Sequence, residues 1–106
     1  MEKQVLFYSD VEPLSSVKHK DLYLRDDSGF AFARDVNAVP LTTVEFSKAA
    51  AEYAIVFAGE KDALTPYAVL GLRDGENTFI DDKEVFNASY IPAFIRRYPF
   101  VFSTYD

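Results

Sequence analysis

At 106 residues the chain has room for one hydrophobic core, and folding at this size buries roughly two-thirds of the surface the unfolded chain exposes. Seventeen acidic against eleven basic residues give a formal charge of -6. With its basic residues scattered, the chain lacks the clustered positive face that nucleic acid or an anionic membrane surface requires. Cysteine is absent, which removes disulfides, thiolate metal sites and cysteine nucleophiles together, while 49% hydrophobic and 16% aromatic content excludes a disordered chain.

The first segment, MEKQVLFYSD, has an apolar run of four residues, too short for a signal sequence and far too short to span a bilayer. A cytoplasmic chain is expected, with envelope association left to a partner. QVLFY (4–8) reads as a strand, and DVEPLSSVKHK after it as a loop. In DLYLRDDSGFAFARDV, Leu22 and Leu24 alternate with polar or amphipathic neighbours, as do Phe30 and Phe32 with alanines. The Asp26 to Gly29 cluster has hairpin-turn chemistry, so a hairpin is predicted.

VNAVPLTTVEF carries four agreeing helix-start signals. Thr42 and Glu45 have capping-box spacing, Leu41 and Phe46 have staple spacing, and Pro40 holds Val39 extended. Phe46, Ala49, Ala50 and Tyr53 then recur at i, i+3, i+4 and i+7, predicting a helix over about 43–53. AIVFAG (54–59) and PYAVLGL (66–72) read as buried strands separated by the polar loop EKDAL. Asp74-Gly75 is a tight-turn signal with Thr78 to Ile80 returning as a strand, and a second turn at 81–83 leads to Val85 and Phe86. SYIPAFIRRYPFVF holds a second helix, about 91–98, started near Pro92 and stopped before Pro99. Phe100 to Phe102 resume as a strand. The expected fold is a single α+β domain, 1–106, with a mostly antiparallel sheet of six or seven short strands and two helices.

Chemistry is harder to place. His19 is the lone histidine, flanked by lysines, and reads as a surface side chain rather than a ligand or base. Asp26-Asp27 and Asp81-Asp82 lack the alternating spacing that wraps a divalent cation and read as solvated turns. The glycines at 71 and 75 do not make a phosphate loop. No cofactor or metal is expected. Asn87-Ala88-Ser89 fits the glycosylation triplet, but stopping a strand before the next helix is the plainer use. The dense polar turn Arg73-Asp74-Gly75-Glu76-Asn77 and the Arg96-Arg97 pair remain as candidates. Arg and Tyr are interface residue types, whereas Tyr90, Phe94 and Tyr98 at i, i+4 spacing also suit a core stripe.

FARDVNAVPLTTVEFSKAAAEYAIVFAG, LGLRDGENTFID and YIPAFIRRYPFVF resemble the N-terminal half of bacterial SapC-like proteins, and the resemblance covers nearly all of the chain. It implies a link with surface-layer protein secretion or presentation, and with cell-envelope transport, and it carries no established catalytic residues. Arg34, Asn37, Pro40, Glu45, Arg73, Gly75, Glu76, Asn77, Arg96 and Arg97 stand at the signature positions. Family members usually run to roughly twice this length, so the chain is expected to be a truncated or partial member whose C-terminal strand, residues 101–105, supports a homodimer.

Two functions follow as expectations. The first is a non-enzymatic domain that holds a protein or peptide partner through a sheet edge and the Arg96-Arg97 face, with Arg34, Asn37, Arg73, Glu76 and Asn77 as further binding candidates. The second is a catalytic or peptide-modifying domain in which Glu45 and the turn Arg73 to Asn77 line a pocket. Convergence of Arg34, Asn37, Arg73 and Glu76 on a deep pocket would favour the second, and an open edge the first.

Overall fold

A computed structural model describes residues 7–8, 10–24 and 29–102. Among them lie three strands, β1 (Ala38–Pro40), β2 (Ile55–Glu60) and β3 (Ala63–Val69), and two short helices, α1 (Phe46–Ala49) and α2 (Ala93–Arg96). The sheet is antiparallel in the order β1-β3-β2. The α+β class stands, but the sheet has three strands rather than six or seven.

β3 is central and yet carries Pro66, which register explains. Leu41 N donates to Pro66 O at 2.9 Å and Leu70 N to Asn37 O at 2.7 Å, so Pro66 and Ala68 of β3, with Leu70 just beyond it, turn their backbone groups toward β1 and the odd-numbered β3 residues turn theirs toward β2. Pro66 therefore sits opposite Leu41, just past the last residue of β1, where its carbonyl alone is used. Pro40 ends β1 on an edge, where a missing N–H costs no ladder bond.

The same register lines up Val39, Ala68 and Ile55 across one face of the sheet. Val39 and Ala68 are fully buried and join Leu41, Leu70, Ala49, Tyr53, Phe86, Phe94 and Ile95 in the core. Burying side chains of the size of Val39, Leu70 and Ile95 contributes about 1.5–3 kcal/mol each.

The helix start at Thr42 forms as the spacing requires: a 3-10 turn over Thr43–Glu45 runs directly into α1, and the capping box is present. Leu41 is buried and Phe46 is half-buried against the core, as staple spacing places them. Helical bonding reaches Tyr53, whose N–H donates to Ala49 O at 2.8 Å, although the α-helical part is shorter than 43–53. α2 likewise occupies only the middle of 91–98, with Pro92 as its N-cap.

Most of the missing strands were alternations used for something else. Ala31–Ala33 form a 3-10 turn instead of a hairpin arm. Phe30 leans on Phe86 with ring centroids 5.7 Å apart, whereas Phe32 stacks on Tyr98 at 3.9 Å and 8°. The two aromatics thus serve different partners and not one sheet face. Leu22 to Leu24 are exposed and in no strand, and 25–28 lie outside the described residues.

Asp74-Gly75 is a turn as expected, Gly75 at φ 72, but the returning segment pairs with β-geometry only at the bridge Ile80 to Phe86. Asn77, the last residue of the polar turn, is buried, its side chain bonded to Ala33 O and Phe79 N. Phe100 to Phe102 form no strand, and 103–105 lie outside the described residues, as do most of QVLFY. Phe7 packs edge-on to Phe32 and Phe94 at 5.2 and 5.5 Å.

The pair predicted as buried strands differs in a way that bears on function. The expected loop EKDAL shrinks to Lys61-Asp62, making β2 and β3 one long hairpin. Its outer half runs past the core, so every β2 residue after Ile55 is exposed.

Candidate interaction surface

The signature residues are mostly occupied with holding the chain together. Glu45, 5% exposed, accepts hydrogen bonds from Thr42 N at 2.8 Å, Thr42 Oγ1 at 3.0 Å, Tyr90 Oη at 2.5 Å and Ala93 N at 2.9 Å. Burial pushes its pKa up, but the donors from Ala93, Thr42 and Tyr90 outweigh that, and the carboxyl sits below its ordinary range. One turn later Glu52 accepts from Ser89 N and Tyr90 N, both at 2.8 Å. Tyr53 Oη donates to Tyr90 O at 2.5 Å. Burial, with Glu52 and Tyr90 nearby, raises the Tyr53 pKa, which keeps the phenol protonated for that bond. Three side chains from one face of the α1 segment thus clamp residues 89–93.

Arg34 Nη2 donates to Asp81 O at 3.0 Å. Asn37 offers its carbonyl to Leu70 N and Gly71 N at 2.7 and 3.1 Å. Asn77 Nδ2 donates to Ala33 O at 3.1 Å while its Oδ1 accepts from Phe79 N at 2.9 Å. Arg73 is 84% exposed and lies 3.9 Å from Glu76 across the turn. Gly71 is pressed so close to Glu76 that an added Cβ would lie 2.0 Å from its carbonyl oxygen. Neither of the two cavities described below is lined by Arg34, Asn37, Arg73, Glu76 or Asn77.

Arg96 and Arg97, adjacent in sequence, part company in space. Arg96 is exposed and bends back, Nε donating to Ile91 O at 2.7 Å and Nη2 to Tyr90 Oη at 3.3 Å. Arg97 turns inward, its guanidinium 4.3 Å from the centroid of the Phe94 ring. Its Nε and Nη2 are covered by protein and have no hydrogen-bond acceptor among the described residues. Arg97 lines a groove of about 850 Å³ between Tyr8 with residues 10–22 on one side and 97–102 on the other. Tyr8, whose hydroxyl donates to Phe100 O at 2.9 Å, ties the two walls. A smaller cavity of about 470 Å³ lies beside Lys48, Glu52 and Tyr90.

One end of the large groove holds a small polar cluster. Glu12 accepts from Lys18 Nζ at 2.6 Å and pairs with His19 Nε2 at 2.9 Å. Hydrogen bonds from Lys18 and His19 lower the Glu12 pKa. Ser15 N donates to His19 Nδ1 at 3.0 Å, which places the ring proton on Nε2. Ser15 Oγ accepts from Val17 N and Lys18 N and does not face the imidazole as a nucleophile would.

β2 offers the other open feature. With Ala54 O accepting from Val69 N at 2.9 Å, the ladder alternation points the backbone groups of Ile55, Phe57 and Gly59 away from β3. No strand pairs with that side among the described residues. Phe57 and Leu64, 58% and 57% exposed, extend the core-facing side of the hairpin beyond the core, with Phe46 edge-on to Phe57 at 6.2 Å.

The SapC family model matches residues 14–106, a span that takes in the clamp, the hairpin and α2. The chain belongs to the SapC family. No curated protein and no solved structure matches it. Within this SapC domain no described helix is long and apolar enough to cross a membrane. Sequence reasoning missed Glu52 and the groove around Arg97. Glu52 carries no local signal, because its partners lie 37 and 38 residues away; the groove joins two segments far apart in the chain.

Proposed function

We propose that this SapC domain is a non-enzymatic protein- or peptide-interaction module, serving surface-layer protein secretion or cell-envelope transport, that receives an extended partner segment along the open edge of β2. The reading rests on the outward-facing backbone groups of Ile55, Phe57 and Gly59. An unpaired edge flanked by exposed apolar side chains supplies both halves of strand addition: main-chain hydrogen bonds for affinity and alternate side-chain contacts for specificity. Such an edge is otherwise a liability that proteins blunt. The alternative, a catalytic or peptide-modifying pocket around Arg73 to Asn77, draws no support from the geometry, since Asn77 is spent on Ala33 and Phe79 and Arg73 stands in solvent.

The test is selection of binders from a displayed library of random peptides against the wild-type domain. Extended peptides with alternating apolar residues are expected. Phe57→Pro removes an outward N–H without touching the β3 ladder, and it should abolish their binding while leaving the circular dichroism spectrum unchanged. Binders that tolerate Phe57→Pro, or amide shifts that bypass residues 55–59, would count against the reading.

A further inference from the structure

The open side of β2 has a property that an unrelated partner segment does not require: it is complementary to itself. Ile55, Phe57 and Gly59 turn their backbone groups away from β3 and are evenly spaced about Phe57. Set antiparallel against the same strand of a second copy, with the two Phe57 residues opposite, each Ile55 meets Gly59 of the second copy. Every outward N–H and C=O of these residues then finds a partner, each copy donating three hydrogen bonds and accepting three. The side chains match in the same register. Phe57 meets Phe57 of the second copy as a cross-strand aromatic pair, next to the Phe46 ring that stands edge-on to it. Gly59, with no side chain, leaves room for Ile55 of the second copy, and on the other face the exposed Val56 and Ala58 fall opposite each other. Charge allows the approach although the chain carries -6. Residues 55–59 include no charged residue and no proline, the devices that keep sheet edges apart. Glu60 falls opposite Ala54 of the second copy, so no like charges meet along the strand.

We propose that in the free protein the β2 edge is closed by β2 of a second copy, in a two-fold symmetric dimer whose sheet runs β1-β3-β2-β2-β3-β1, and that the copies separate before a partner segment enters. The pairing stands on the register alone; its role as a guard of the binding edge rests on the strand-addition reading above. A two-fold contact uses one patch twice and closes on itself. The far edge, β1, is three residues long and ends in Pro40, so it offers no second pairing that would extend the dimer into a fibre. The residues 55–59 that pair on each side are few against roughly 20–30 a side in a standard interface. The dimer is therefore weak and reversible, as an edge that must open for a partner requires.

Sedimentation equilibrium of the full chain reads mass against concentration. A rise from the 12.0 kDa of one chain toward twice that mass is expected between about 1 μM and about 1 mM, the range of a small interface. Phe57→Pro, which removes a central donor from each copy, should stay monomeric throughout. The chain has no cysteine, so introduced ones report the register. Position 56 of one copy and position 58 of the other form a non-hydrogen-bonded pair with Cα atoms about 4.5 Å apart, within disulfide reach. Two copies of Val56→Cys, or two of Ala58→Cys, place their thiols on a diagonal at roughly 7–8 Å. A mixture of the two variants should therefore oxidise to the heterodimer at least about fivefold faster than either variant oxidises alone. Both keep the outward backbone groups, so the register is read even if Phe57→Pro does not fold. Excess of the synthetic peptide AIVFAGEK, residues 54–61, should return the dimer to monomer. A chain monomeric up to about 1 mM, a dimer that survives Phe57→Pro, equal oxidation of mixed and single variants, or a dimer unmoved by the peptide would each overturn the proposal. A monomer that still selects edge-binding peptides would end the dimer and keep the strand-addition reading; a dimer of this register that selects none would do the reverse.

Discussion

Tyr90 Oη donates to Glu45 at 2.5 Å across a sequence separation of 45 residues. That contact joins the two most distinctive segments of the chain, VPLTTVEF and YIPAF, and makes the capping carboxylate of one helix start the acceptor for the first N–H of the next, Ala93. Glu45 therefore stabilises both helix starts, and this shared dependence gives the first prediction.

Glu45→Ala leaves Thr42 N, Tyr90 Oη and Ala93 N without their acceptor in a part-buried site. The expected loss is on the order of 3 kcal/mol, since each stranded polar group costs about 1–3 kcal/mol. Glu45→Gln keeps one acceptor oxygen and should lose about half as much. Urea unfolding midpoints of the two variants against wild type measure the difference.

The direction of the Glu45 shift fixes a pH dependence. Its folded pKa lies below the unfolded carboxyl value, so its contribution is fully present above the ordinary glutamate range and is lost as pH falls through the lowered folded value. Glu12 and Asp81 shift the same way, the first through Lys18 and His19 and the second through Val85 N and Asn87, and they add to the wild-type acid limb. The wild-type minus Glu45→Gln difference in stability isolates Glu45. It should begin to shrink as pH falls through the ordinary glutamate range and go on shrinking below it, and a difference that stays constant as pH falls through and below that range would contradict the assignment.

Two glycines should respond oppositely in scale to the same substitution. At Gly71 a methyl group would meet Glu76 backbone, so Gly71→Ala must push apart the segments that Leu70 and Thr78 join and should cost about 3 kcal/mol. Gly75 has open space around it but φ at 72, so Gly75→Ala should cost only about 1 kcal/mol, from backbone strain. Thermal midpoints separate the two.

Asn77→Ala removes the donor to Ala33 O and the acceptor for Phe79 N. A loss of about 2 kcal/mol is expected from those two bonds, together with faster exchange of the Phe79 amide proton. A variant as stable as wild type would return Asn77 to the list of residues kept for binding.

Local rules carried the reading where the partners were local. The capping box and the Asp74-Gly75 turn each depend on residues within a few positions, and each is present in the fold. The strand readings failed where alternation was satisfied by aromatic packing from elsewhere, as with Phe30 on Phe86 and Phe32 on Tyr98. AIVFAG reads as buried because its side chains are apolar. Only the sheet order shows that it is an edge strand running beyond the core.

By itself, then, the sequence determined the class, the family resemblance and the helix start at Thr42, because spacing along one segment is enough to specify caps, turns and periodicity. Tertiary structure alone decided that Glu45 serves two helices, that Arg96 and Arg97 face different surroundings, and that β2 is an open edge among the described residues. Each of these depends on which distant segment fills the space beside a side chain or a strand, and no local pattern encodes that.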